Sequence, residues 1–151
     1  MEVPRSQRLD YKTLAPEGYR AMAGLSRFVG ESGLDKTLIH LVKLRVSQIN
    51  GCAYCCWLHA KDLRATGVKQ TRIDTLPAWR EAPGYSAQER AALAWAEAVT
   101  LIGESHAPDD VYQEALAQFG DKLTVALTYL IVEINAWNRL AIPFRSEPPA
   151  D

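Results

Sequence analysis

Asn50-Gly51-Cys52-Ala53-Tyr54-Cys55-Cys56-Trp57-Leu58-His59 is the stretch whose reading decides the fold. All three cysteines of the chain lie inside five residues, and an imidazole follows four positions after the second of them. No Pro or Gly interrupts the run from Cys52 to Thr66, and Gly67 closes it, so the pattern predicts a helix with the cysteine pair in its first turn. Immediately upstream, Asp35 is a plausible N-cap for Leu38, Ile39, Leu41, Val42, Leu44, Val46 and Ile49, a helix stopped by Asn50-Gly51. Two helices joined by a tight turn therefore set the frame.

On a helix advancing about 100° per residue, with Cys52 at zero, Cys55 falls at about −60°, His59 at about −20° and Cys56 at about +40°. These four share a face, and Lys61 and Arg64 point away from it. Cys55 and His59 are an i,i+4 pair, and Cys52 and Cys55 an i,i+3 pair, so a thiol can meet a base and two thiols can join. A thiol that ordinarily titrates near ~8.5 becomes more acidic at a helix N-terminus or beside a histidine. A bridge across two intervening residues is a small ring, suited to repeated making and breaking. Other readings stand beside this one. A Cys-x2-Cys pair serves zinc sites, although no second pair is present and only His40 and His106 remain to complete one. Buried cysteines also serve simply as packing, which is the expected role of Cys56, though it lies four residues from Cys52 and could take the bridge. Tyr54 and Trp57 read as pocket wall or core.

Outward from this unit, Tyr19, Met22, Leu25 and Phe28 repeat at helical spacing behind Pro16, after an irregular lead-in from Asp10. Val68 to Tyr85, broken by Pro77, Pro83 and Gly84, predicts a short helix and a loop. Ser86-Ala87-Gln88-Glu89 is a capping box opening a helix that carries Ala92, Trp95, Ala96, Val99 and Ile102. Pro108-Asp109-Asp110 starts another, ended by Gly120, and Asp121 can cap the last. From Leu123 to Phe144 the only charges are Glu133 and Arg139, and the apolar residues wrap more than one face, so this helix should be central or lie in a subunit contact. Nothing alternates with period two. The expected fold is all-α, one domain over residues 1–151 with about six or seven helices and an irregular first ten residues.

Seventeen basic against eighteen acidic side chains leave a formal charge of −1, which gives no nucleic-acid footprint and no electrostatic membrane anchor. Met1 to Asp10 holds no apolar run, so neither a signal peptide nor a membrane span is expected there. Three clustered cysteines make a poor framework for a secreted fold and a good one for redox chemistry, which places the protein in the cytoplasm with its thiols reduced at rest.

The run Leu41-Val42-Lys43-Leu44-Arg45-Val46-Ser47-Gln48-Ile49-Asn50-Gly51-Cys52-Ala53-Tyr54-Cys55, continued to His59, resembles the AhpD-like alkylhydroperoxidases of the carboxymuconolactone decarboxylase superfamily. Asn135-Ala136-Trp137-Asn138-Arg139 is similar as well. The resemblance implies a helical protomer assembled into trimers or hexamers, and a peroxidase that uses paired cysteines with no haem, flavin or metal cofactor. It implies that Cys55 attacks peroxide, Cys52 resolves and His59 is the histidine of the motif. The family motif opens with a glutamate twelve residues before the first cysteine, where this chain has His40. Some members have a histidine where this chain has Tyr54, and an aliphatic residue is usual at Cys56.

The expected chemistry begins with His59 drawing a proton from Cys55, whose thiolate attacks the terminal oxygen of a hydroperoxide and becomes a sulfenic acid as an alcohol leaves. Cys52 condenses with it, and an external dithiol of lipoyl or thioredoxin-like type reduces the bridge. His40 would stand in for the glutamate, giving a site with two imidazoles and no carboxylate whose activity falls as the histidines charge between about pH 6 and 7. The alternatives are a non-enzymatic dithiol sensor or interaction protein of the same fold, and a lactone decarboxylase, whose chemistry does not call for a cysteine pair.

Overall fold

The computed structural model describes residues 6–150. Among these residues the chain forms α-helices and one 3₁₀ turn, with no strand, and the all-α expectation holds. The helices are α1 (Tyr11–Leu14), α2 (Pro16–Gly30), α3 (Lys36–Asn50), α4 (Ala53–Ala65), α5 (Gln70–Asp74), α6 (Ala87–Thr100), α7 (Ile102–Ser105) and α8 (Asp109–Ala141), with the 3₁₀ turn at Leu76–Ala78. That is more than the six or seven expected, because α1 and α7 span single turns, too short for periodicity to register. In α1 the side chain of Asp10 caps the turn, accepting from the Lys12 N–H at 3.1 Å and the Thr13 hydroxyl at 2.6 Å, where the sequence suggested an irregular lead-in. Residues 6–10 have no regular structure, and Met1–Arg5 lie outside the described residues.

The caps read from the sequence at Asp35 and Ser86 hold, whereas Asp121 makes no capping hydrogen bond among the described residues. Asp35 accepts from the Leu38 N–H at 3.1 Å, and Ser86 and Glu89 form a reciprocal capping box. The expected break at Gly120 is present: its φ of 70° and ψ of 174° are non-helical and suit glycine, so α8 consists of the two expected helical segments meeting at a kink. The second segment stops at Ala141, short of Phe144.

Helix α3 is the central element. Val42 and Val46 bury against Leu127, Leu130, Ile131 and Ile134 of α8, while Leu41 and Leu44 bury on the other side against Leu63, Leu76 and Leu93. A helix packed on two sides shows little one-sided patterning. Helix α8 is long and apolar enough to cross a membrane by length and composition; one face of it packs on α3 and α6, while Val125, Tyr129 and Val132 stay exposed.

The turn between α3 and α4 is what positions the site. Gly51 adopts the left-handed conformation at φ 71°, the Cys52 N–H bonds to the Ser47 carbonyl at 3.0 Å, and the Gly51 N–H to that of Gln48 at 3.3 Å. This is a Schellman closure, which satisfies the last carbonyls of α3 while handing the chain to α4 within two residues. The Asn50 amide then donates to Asn135 at 3.0 Å and Asn138 at 2.9 Å, and Asn138 donates to the Ser47 hydroxyl at 3.2 Å. The turn is thus bolted to α8 through a polar network, and Asn138 in it is fully buried.

Candidate active site

Cys52 is the N-cap of α4 rather than a residue of its first turn, and its sulfur accepts from the Cys55 N–H at 3.3 Å. Cys52 and Cys55 are joined by a disulfide, with their Cα atoms 5.3 Å apart. Both are buried. Cys56 does not share their surroundings, contrary to the shared face expected from the helical wheel. It is a free, half-buried thiol packed into the cluster of Leu41, Leu63 and Leu76, and burial pushes its pKa up. The 100° between neighbouring residues is enough to turn Cys55 towards α8 and Cys56 towards α3.

Cys55 lines a cavity of about 220 Å³ together with His59, Lys43, Glu133, Tyr54 and Trp137. That is below the ~300–1,000 Å³ typical of sites for drug-sized ligands. Lys43 and Glu133 form an ion pair at 3.2 Å, and Glu133 is fully buried on α8. Its Oε1 also accepts from the Ser26 hydroxyl at 2.6 Å and the Trp137 indole N–H at 3.0 Å, which brings α2 into the site. Its Oε2 is buried with no hydrogen-bond partner among the described residues. Such an acceptor is expensive to leave unmatched.

His59 is buried one turn beyond Cys55, and its pKa is lowered to about 3 by burial first, then by the charges of Lys43 and His40. Its imidazole is neutral near pH 7. His40, half-buried on α3, also titrates below its ordinary value, chiefly through burial, with Lys43 adding to the shift and Asp62 and Glu133 opposing it. The two rings face one another with centroids 6.1 Å apart and planes 29° from parallel. The structure therefore brings His40 to the cysteine helix, as the sequence suggested. It departs from the expectation of a site without carboxylates: Asp62 Oδ2 lies 3.8 Å from the Nδ1 of each histidine, and Glu133 stands across the cavity. At 3.8 Å neither contact is a hydrogen bond, and both Nδ1 atoms are buried without a hydrogen-bond partner among the described residues. The ligating atoms of His40, His59 and Asp62 lie within 4.8 Å of one another, a spacing that could draw in a small cation.

Sequence reasoning missed Lys43, Asp62, Ser26 and Glu133. Lys43 is three residues beyond His40 and Asp62 three beyond His59, so helical spacing could have found both. Glu133 carries the signal of a lone acid on an apolar helix, whereas nothing local marks Ser26.

Residues 16–98 match the model of the carboxymuconolactone decarboxylase family. The chain is 39% identical to the uncharacterized protein YdfG of Bacillus subtilis over 137 residues, which covers 91% of this chain and 93% of that one. It is 38% identical to the alkyl hydroperoxide reductase AhpD of Bradyrhizobium diazoefficiens, over 44% of this chain and 33% of that one. A crystal structure of ATU0492 from Agrobacterium tumefaciens, described as of unknown function with a suggested AhpD antioxidant role, superposes with a TM-score of 0.94 at 44% identity. The match covers 97% of this chain and all of that one. With the family model, the identities and the fold in agreement, the chain belongs to the carboxymuconolactone decarboxylase family as an AhpD-like member.

Proposed function

We propose that the protein is a thiol peroxidase that reduces hydrogen peroxide or alkyl hydroperoxides through a Cys52/Cys55 dithiol–disulfide cycle. The observation that carries this reading is the placement of Cys55: bonded to Cys52 at the start of α4, it also lines a small cavity with His59, Lys43 and Glu133. In the reduced protein, the helix N-terminus and the Lys43 ammonium favour the Cys55 thiolate. The unmatched Glu133 Oε2 accepts the O–H of the hydroperoxide and so turns its terminal oxygen towards the sulfur. Attack forms the S–O bond as the O–O bond breaks, Lys43 steadies the departing alkoxide, and the alkoxide takes the proton that His59 drew from Cys55 and leaves as the alcohol. The Cys52 thiol then displaces water from the Cys55 sulfenic acid and closes the disulfide.

His59 is the base of this cycle. A negative sulfur one turn away favours its charged form, so the proton of the Cys55–His59 pair is shared between them in the reduced protein. His40 and Asp62 stand beside His59, the imidazole of His40 with its centroid 6.1 Å away and the Asp62 carboxylate 3.8 Å from its Nδ1. The proposed reductant is an external dithiol of lipoyl or thioredoxin-like type, the proposed assembly a homotrimer or homohexamer, and the proposed setting the cytoplasm, where thiols stay reduced.

Peroxide consumption measured with an added dithiol tests the reading. Many turnovers per chain are expected, and none with Cys55→Ser. A single equivalent of peroxide consumed per chain, with no turnover for any dithiol, would instead make the protein a redox sensor.

A further inference from the structure

Two histidines from neighbouring helices converge on one carboxylate oxygen. The Nδ1 of His40 on α3 and the Nδ1 of His59 on α4 each lie 3.8 Å from Asp62 Oδ2, and Asp62 follows His59 by one turn of α4. Both Nδ1 atoms are buried with no hydrogen-bond partner among the described residues. For His59, which is only 8% exposed, a ring nitrogen left in that state is costly. Burial keeps both imidazoles uncharged near pH 7, so each ring has a lone pair to offer.

Two neutral imidazoles and a carboxylate are the donor set that first-row divalent ions such as zinc accept, with water completing the coordination. Zinc holds nitrogen and oxygen at about 2.0–2.2 Å, which sets neighbouring ligand atoms roughly 3.3 Å apart, so gaps of 3.8 Å close with side-chain shifts of about half an ångström. All three ligand atoms lie within 4.8 Å of one another. The charge also suits a cation. Lys43, whose ammonium acts on both rings, is already paired with Glu133 at 3.2 Å, which leaves the Asp62 carboxylate in excess. His40 and Asp62 are part exposed, giving an ion a way in, whereas His59 alone of the three lines the cavity at Cys55.

We propose that His40, His59 and Asp62 form a binding site for a zinc-type divalent ion, and that an ion held there halts the peroxide cycle by occupying the histidine that serves Cys55. Only the second half rests on the dithiol cycle proposed above. A neutral imidazole has one N–H and one lone pair. Coordination takes the lone pair and leaves the proton on the other nitrogen, so the ring has no place for the proton of Cys55. The thiol stays protonated until the ion leaves, and no covalent bond is made or broken in either direction.

The site is tested by titrating Zn²⁺ calorimetrically into protein stripped with EDTA and with its disulfide closed, so that Cys52 and Cys55 offer no thiolate. One ion per chain is expected, Mg²⁺ should give no binding heat because it prefers all-oxygen sites, and His40→Gln and Asp62→Asn should each weaken Zn²⁺ by about tenfold or more. The effect on Cys55 is read in the Cys52→Ser chain, which has lost the paired thiols that could hold zinc themselves. Saturating Zn²⁺ should slow alkylation of Cys55 by iodoacetamide, mapped by mass spectrometry, by about tenfold or more, and Asp62→Asn in the same chain should remove most of that slowing. No Zn²⁺ binding, or equal affinity in the two ligand variants, would overturn the site. A Cys55 alkylation rate unmoved by saturating Zn²⁺ would overturn its effect on the cycle. Neither measurement uses peroxide, so a failure of the peroxidase reading would appear separately, in the turnover assay without Zn²⁺.

Discussion

Acidification should unfold the disulfide form of this protein through His59. The imidazole is buried, with a pKa of about 3 in the folded chain against the ordinary 6.5. Between those values the unfolded chain binds a proton that the folded chain refuses, so stability is full above pH 6.5 and declines as pH falls towards 3. One pKa unit corresponds to about 1.4 kcal/mol, which makes the loss from this side chain about 2 kcal/mol between pH 6.5 and 4.5. Urea unfolding at a series of pH values, with the disulfide kept closed, measures it. The His59→Gln chain lacks the titrating group, and its stability should depend on pH less steeply by nearly one proton over that interval. Parallel pH profiles for the two chains would refute the reasoning, as would a His59 ring resonance that titrates near 6.5 in the folded protein. The same burial moves the pH response expected from the sequence. In the disulfide form His59 stays neutral through pH 6 to 7, so a fall in activity across that range would have to arise from another group or from the reduced state.

Cys55→Ser should abolish peroxide turnover, while Cys52→Ser should undergo one slow oxidation that dimedone traps as a sulfenate on Cys55; a sulfenate on Cys52 in the converse variant would reverse the two roles. Glu133→Gln should slow oxidation of Cys55 by peroxide at least tenfold, measured by stopped flow, yet change its alkylation by iodoacetamide less than threefold, because the carboxylate acts on the peroxide O–H and not on the sulfur. Equal losses in both rates would reduce Glu133 to a structural role. The exposed stripe of Val125, Tyr129 and Val132 on α8, joined by Phe28 against Tyr129 at 5.4 Å, should lie in a homo-oligomer contact. Sedimentation should show a trimer or hexamer that Tyr129→Glu dissociates, and a wild-type monomer at micromolar concentration would contradict this.

What the sequence shows and what it hides divide along sequence separation. The Schellman turn at Gly51, the capping roles of Asp35 and Ser86, and the meeting of Cys52 with Cys55 all depend on residues within five positions of one another, so spacing rules reach them. Even here the wheel misplaced Cys56, because an arc of 100° on α4 is shared between two neighbouring helices that only tertiary packing identifies. The ion pair of Lys43 with Glu133 spans 90 positions and the bond from Ser26 spans 107, and no local pattern joins them. The lone acid on an apolar helix could be seen, but its partners could not. Likewise His40 could be set at the cysteine helix by analogy, whereas the lowered pKa values follow from burial that the chain's remaining helices create.

This division has a chemical meaning. The redox capacity of the chain is local: a capping cysteine, a second thiol one turn on and a histidine after it would form a dithiol on many helical scaffolds. Selection of what reaches that dithiol is remote. Tyr19 and Ser26 of α2 and Glu133 of α8 shape the cavity at Cys55. Ten residues therefore suffice to read a thiol–disulfide couple, yet relatives that keep those ten can differ in substrate by changing α2 and α8 alone. On the peroxidase reading proposed above, exchange of Tyr19, Ser26 and Glu133 between two members with the same cysteine motif is the route by which oxidant preference would move while the dithiol stays in place, because these residues line the cavity at Cys55 and contribute nothing to the Cys52–Cys55 bridge.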